Sequence, residues 1–118
     1  MGMKDSIAVI GAGVIGGSVV KSLIKSGYEG KIVVAEIIQE KSKELQQLGA
    51  SVTSDNRQAA KEADIVFLSV KPNILKIVLK EISQEIEGKL VVSTAAAVTV
   101  NFCKRVVPKA RFVRIMPN

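Results

Sequence analysis

Gly11-Ala12-Gly13-Val14-Ile15-Gly16 stands directly after the apolar run Ile7-Ala8-Val9-Ile10, and an acid, Glu36, follows twenty positions after the last glycine. A glycine triplet alone is weak evidence, because glycine-rich turns are common. Here it has a strand pattern before it, a helix pattern after it and an acid at the end of the next strand, which together make a dinucleotide-binding fingerprint. Each part has a physical task. Gly11 permits a tight turn out of the strand, and Gly13 has no side chain to block a pyrophosphate. Gly16 lets the following helix approach the sheet, and that helix offers free N–H groups and a positive dipole end to phosphates.

Such a loop must be held between a strand and a helix, and the whole chain alternates the two. Ser6–Ile10 reads as the first strand, followed by a helix over Gly16–Ser26 with Val19, Val20, Leu23 and Ile24 on one face. Lys31–Ala35 is the second strand and Gln39–Leu48 the second helix. Ala50–Thr53 is a short third strand, with a brief helix over Arg57–Glu62 after it. Asp64–Val70 is a strongly apolar fourth strand. Pro72 suits the first turn of a helix in which Ile74, Val78, Ile82 and Ile86 recur at every fourth residue, up to a stop at Gly88. Leu90–Ser93, a helix over Val100–Val107 and a final strand over Arg111–Ile115 complete the chain. The expected fold is α/β, a Rossmann-type doubly wound, mainly parallel sheet of about six strands with helices on both faces.

Composition agrees with that class. The chain has 118 residues, enough for one domain, and 47% of them are hydrophobic with few aromatics. A core of Val, Ile, Leu and Ala suits a parallel sheet covered on both sides. No apolar stretch approaches the length of a membrane span. Residues 1–5 run directly into the first strand, leaving no room for a signal peptide, and Cys103 is the only cysteine. Both point to a cytoplasmic protein without an internal disulfide, and Cys103 reads as a buried small hydrophobe. The net charge of +6 comes from lysines and arginines scattered at spacings that decorate helix surfaces. No basic run is interleaved with aromatics, so a nucleic-acid partner is not expected.

Glu36 bears on the choice of nucleotide. A carboxylate at the end of the second strand accepts hydrogen bonds from the adenosine ribose hydroxyls and repels a 2′-phosphate, which favours NADH over NADPH. The opposing reading rests on Lys41 and Lys43, one helical turn further on, which can reach a phosphate if Glu36 turns outward.

Three further stretches narrow the reading: Ser69-Val70-Lys71-Pro72, Ser93-Thr94-Ala95-Ala96-Ala97-Val98-Thr99 and Val113-Arg114-Ile115-Met116-Pro117-Asn118. With the glycine loop, and in this order, they resemble the N-terminal half of pyrroline-5-carboxylate reductases from the first strand to the last residue. The resemblance implies an enzyme that uses NAD(P)H to reduce the C=N bond of a cyclic imine in proline synthesis. It also implies a C-terminal helical domain that dimerises and supplies much of the substrate pocket, so that residues 1–118 are the dinucleotide-binding domain of a longer homo-oligomeric protein. Carried over by position, Gly11, Gly13, Val14, Ile15 and Gly16 would hold the pyrophosphate, and Asn56 would contact the adenosine. Val70, Lys71 and Pro72 would line the nicotinamide ribose. Ala95 and Ala96, with Asn118, would border the nicotinamide. Ala97 departs from the pattern, since the family usually has glycine there.

The chain contains no histidine, and one cysteine with scattered carboxylates makes no metal cluster. No catalytic side chain is expected, because a reduced nicotinamide supplies the hydride and the protein supplies orientation. Lys71 is the one charged group near the expected site, with a positional role. In the resembling family, the hydroxyl beside the imine nitrogen would come from the helical domain. Other readings are a reductase of the F420-type or prephenate-dehydrogenase-like group, and a nucleotide-sensing regulatory domain. The last has no need of the Val70-Lys71-Pro72 and Met116-Pro117-Asn118 elements.

Overall fold

The computed structural model describes residues 5–94 and 99–115. Its strands are β1 (Ile7–Ile10), β2 (Ile32–Ala35), β3 (Ser51–Thr53), β4 (Ile65–Leu68), β5 (Leu90–Ser93) and β6 (Arg111–Arg114). The helices between them are α1 (Val14–Lys25), α2 (Gln39–Gln47), α3 (Asn56–Glu62), α4 (Pro72–Glu81) and α5 (Val100–Val106). All strand pairs are parallel, and the order across the sheet is β3-β2-β1-β4-β5-β6. The expected class is therefore the observed one, with boundaries moved by one or two residues at most elements.

The central strands form because they can be buried on both faces. All four residues of β1 and all four of β2 are buried. Alternation along the strands divides the core in two. On one face Ala8, Ile10, Val33, Val66, Leu68 and Val91 pack against Leu75, Val78, Leu79 and Cys103 of α4 and α5. On the other, Ile7, Val9, Ile32 and Val34 meet Val20 of α1 and Leu45 of α2. Cys103 is 1% exposed, as its apolar neighbours in sequence suggest, and burial pushes its thiol pKa up.

Capping sets the smaller helices. Asp55 accepts from the backbone N–H groups of Arg57 (2.9 Å) and Gln58 (3.3 Å) and so starts α3. Thr99 does the same for α5 through Phe102 N–H at 3.1 Å. Pro72 occupies the first turn of α4, where a missing N–H is harmless.

One element differs from expectation. The four-residue spacing of isoleucines predicts a helix reaching to Gly88, but α4 ends at Glu81. Ile82 leaves helical geometry at φ −100°, ψ 10°, and the chain continues in turns. Those turns still form Ile82 N–H to Val78 O and Ile86 N–H to Ile82 O bonds, at 3.0 and 3.1 Å. Ile74, which begins the series, is 39% exposed, but from Val78 onward burial at every fourth residue persists through Ile82 and Ile86, although the regular ladder has stopped. The periodicity reported burial, and a helix is only one way to achieve it.

Candidate dinucleotide site

The sheet order reverses between β1 and β4, whose outward connections run to opposite ends of the sheet. In open α/β sheets, ligands bind beyond the carboxyl ends of the strands at such a point. Two loops lie there, the glycine loop after β1 and Ser69–Lys71 after β4.

Gly11 turns the chain with φ +92°, a left-handed conformation that a side chain would strain. A β-carbon there would also lie 2.7 Å from the Ser69 carbonyl oxygen and 3.2 Å from a Val70 methyl. Gly16, at the buried side of the first turn of α1, has no room for one either: it would run into the Gly11 carbonyl and lie 3.1 Å from Ser69 Cβ. Gly13 is the opposite case. A β-carbon there would meet nothing within 4 Å, so the space in front of this glycine is open. The tight turn expected at Gly11 and the close helix packing expected at Gly16 are thus seen in their surroundings, and Gly13 faces open space.

Gly13 is also the N-cap of α1, in extended geometry, with no side-chain cap and no acid in the first turn. The N–H groups at this end carry the positive end of a twelve-residue helix. Val14 is 89% exposed and Ile15 38% exposed beside them. This end can accept an anion without first displacing a side-chain cap.

Glu36 follows β2 and turns inward. Its Oε1 accepts from Ala12 N–H at 2.8 Å and its Oε2 from Ile38 N–H at 3.0 Å. The two lysines weighed against it separate. Lys41 shares a groove of about 300 Å³ with Ala12, Gly13 and Val14, together with Lys21, which pairs with Glu44 at 2.7 Å. Lys43 instead lines a groove between α2 and Val52.

The loop after β4 backs the glycine loop. Ser69 N–H donates to Ile10 O at 2.9 Å, and half-buried Val70 packs onto the core beside it. Lys71 is exposed at the N-cap of α4, followed by exposed Pro72. Gly11, Gly16, Ser69 and Val70 are therefore brought together, and Glu36 is joined to them through Ala12. Asn56, at the start of α3, gives its side-chain N–H to Glu81 of α4 at 2.9 Å, with its residue half-buried. Ala95, Ala96 and Asn118 lie outside the described residues.

Sequence reasoning overlooked Ser69 and Thr94 as individual residues. Ser69 is the surface against which two of the glycines pack, and Thr94 Oγ1 lies 3.5 Å from Ser69 Oγ and 3.3 Å from Leu68 O. The available signal was a small hydroxyl residue directly after each of two neighbouring apolar strands. Among the described residues there is no group of three metal-ligating side chains, and no helix is long and apolar enough to cross a membrane.

Comparison with known proteins agrees with this geometry. Residues 6–97 match the family model described as NADP oxidoreductase, coenzyme F420-dependent. A pyrroline-5-carboxylate reductase of Vibrio alginolyticus is 40% identical over 95% of this chain and 43% of its own length. A pyrroline-5-carboxylate reductase structure from Coxiella burnetii superposes with a TM-score of 0.93 at 35% identity, covering 98% of this chain and 45% of that one. An imine reductase variant from Myxococcus stipitatus, in complex with NAD+, gives 0.81 at 26% identity over 95% and 40% of the two chains. The resemblance drawn from the motifs is thus found over nearly the whole chain, which spans less than half the length of these relatives.

Proposed function

The chain belongs to the family of coenzyme F420-dependent NADP oxidoreductases, and from that premise we propose that it is the NAD(P)H-binding portion of a reductase acting on the C=N bond of a cyclic imine, of the pyrroline-5-carboxylate class. The observation that carries the binding half of this reading is the open space before Gly13 at the uncapped N-terminus of α1, with Glu36 held alongside. The similarity to reductases of that name carries the substrate half. Association of two copies in the whole protein belongs to the same reading.

The residues present fit a dinucleotide. Gly13 leaves room for a pyrophosphate, and the N–H groups of the first turn, at Val14 and Ile15, would donate to it. Glu36 keeps a second lone pair on each oxygen for the two hydroxyls of a ribose. Val70, Lys71 and Pro72 would border the second ribose at the end of β4, while Ala95, Ala96 and Asn118 would border the nicotinamide. Asn56, its amide fixed by Glu81, would meet the adenosine side. The reduced nicotinamide supplies the hydride when bound. The chain's own residues bind and orient, and Lys71 adds positive charge to the rim without a proton-transfer role.

NADH is favoured over NADPH. Glu36 cannot turn outward without leaving the N–H of Ala12, a 6% exposed residue, unpaired, a cost of about 1–3 kcal/mol. Its charge therefore stays where a 2′-phosphate would come. Lys41, on the groove beside Gly13, is the group a phosphate would recruit if this reading failed.

The test measures oxidation of NADH and of NADPH by the whole protein with pyrroline-5-carboxylate or with oxidised F420, and separately the reduction of NAD+ and NADP+ with prephenate. Imine-dependent oxidation that is faster at limiting NADH than at limiting NADPH supports the reading. Turnover with prephenate or F420, and none with the imine, would replace it.

A further inference from the structure

We infer that Glu36 is a positioning residue for the glycine loop as well as a ribose acceptor, and that the two tasks can be separated by substitution; the ribose task rests on the dinucleotide reading above. The backbone ladder between β1 and β2 runs out at the turn. Its last rung is Gly11 N–H to Ala35 O at 2.9 Å. Beyond it Gly11 turns the chain with φ +92°, and β2 leaves towards β3, where Glu36 N–H donates to Thr53 O at 3.0 Å. Ala12 N–H is therefore the first donor of the loop that no strand carbonyl meets, and Ala12 is only 6% exposed. The Glu36 carboxylate replaces that carbonyl at 2.8 Å, and its other oxygen is held by Ile38 N–H at 3.0 Å. One side chain thus fastens the loop after β1 to the loop after β2.

Charge and bracing then make different demands. The 2′-phosphate is opposed by the charge alone. The brace needs only an oxygen acceptor at the Oε1 position. Glu36→Gln keeps the acceptor for Ala12 and removes the charge, giving up only the bond to Ile38 N–H, which lies on a 47% exposed residue and can turn to water. Glu36→Ala removes charge and acceptor together. A residue that acted only by repelling phosphate would give the same gain in NADPH binding from either substitution. A residue that also braces the loop would give the gain from glutamine alone, because loss of the brace loosens the pyrophosphate loop for both nucleotides.

The experiment reads amide hydrogen exchange at Ala12 without cofactor, and NADH and NADPH dissociation constants by calorimetry, for the unmodified chain and both variants. Exchange at Ala12 is expected to be roughly tenfold faster in Glu36→Ala than in the unmodified chain, and near the original rate in Glu36→Gln. NADPH is expected to bind Glu36→Gln several-fold more tightly than it binds Glu36→Ala. Unchanged Ala12 exchange in Glu36→Ala overturns the brace, as does equal NADPH affinity in the two variants. If the unmodified chain binds neither nucleotide, the dinucleotide reading fails, while the exchange rates still decide whether Glu36 braces the loop.

Discussion

Gly16 and Ser69 approach so closely that a β-carbon on the glycine would lie 3.1 Å from that of the serine, with the Gly11 carbonyl closer still. Helix α1 is seated on the end of β4 by this contact, and the same contact aims the helix's first turn at the carboxyl edge of the sheet.

The three glycines should therefore answer differently to the same added methyl. Gly16→Ala forces α1 off the sheet and is expected to cost about 1–3 kcal/mol of stability. Gly13→Ala meets open space and costs less than about 1 kcal/mol, mostly through its N-cap position. Urea unfolding of the two variants checks the order. Equal losses would mean that α1 is not seated as described.

The fold was legible because the central strands β1, β2, β4 and β5 are short, apolar and separated by clear stop signals, while the edge strands β3 and β6 carry polar residues and are much less buried. The glycine loop was legible for a similar reason, since each of its tasks depends on the absence of a side chain. What could not be read were the partners of polar groups. Glu36 is twenty-four residues from Ala12, and Asn56 twenty-five from Glu81, so no local pattern announces either hydrogen bond. Lys41 and Lys43 are equivalent by sequence distance, yet only Lys41 borders the glycine loop's groove, because helix geometry points residues two apart in different directions. The early end of α4 escaped because buried turns and a helix carry the same isoleucine spacing.

Asp55 holds the start of α3 through two backbone N–H groups, and α3 carries Asn56 as its first residue. Asp55→Ala is expected to cost about 1 kcal/mol, with Asp55→Ser restoring most of it. Denaturant midpoints measure both. A loss that serine does not recover would assign the effect to the aspartate's charge instead of its cap.

Cys103 provides a pH test. Burial raises the folded thiol's pKa, so the folded protein retains a proton that the unfolded chain gives up first. Its stabilising contribution is complete below the ordinary thiol range and is lost as pH rises through that range towards the folded value. The difference in unfolding free energy between the original chain and Cys103→Ala should accordingly shrink as the pH becomes alkaline. Urea titrations of both chains at a series of pH values read this directly, and parallel curves would contradict it.

The central claim is that a dinucleotide lies across the open side of Gly13. Calorimetric titration of the 118-residue chain with NADH, beside the Gly13→Leu variant, addresses it most directly. The account predicts one-to-one binding by the original chain and at least roughly tenfold weaker binding by the variant, with a stability loss of about 1 kcal/mol from the N-cap position, because a side chain there enters the space the ligand would occupy. Equal binding by the two chains, or none by the original, would contradict it.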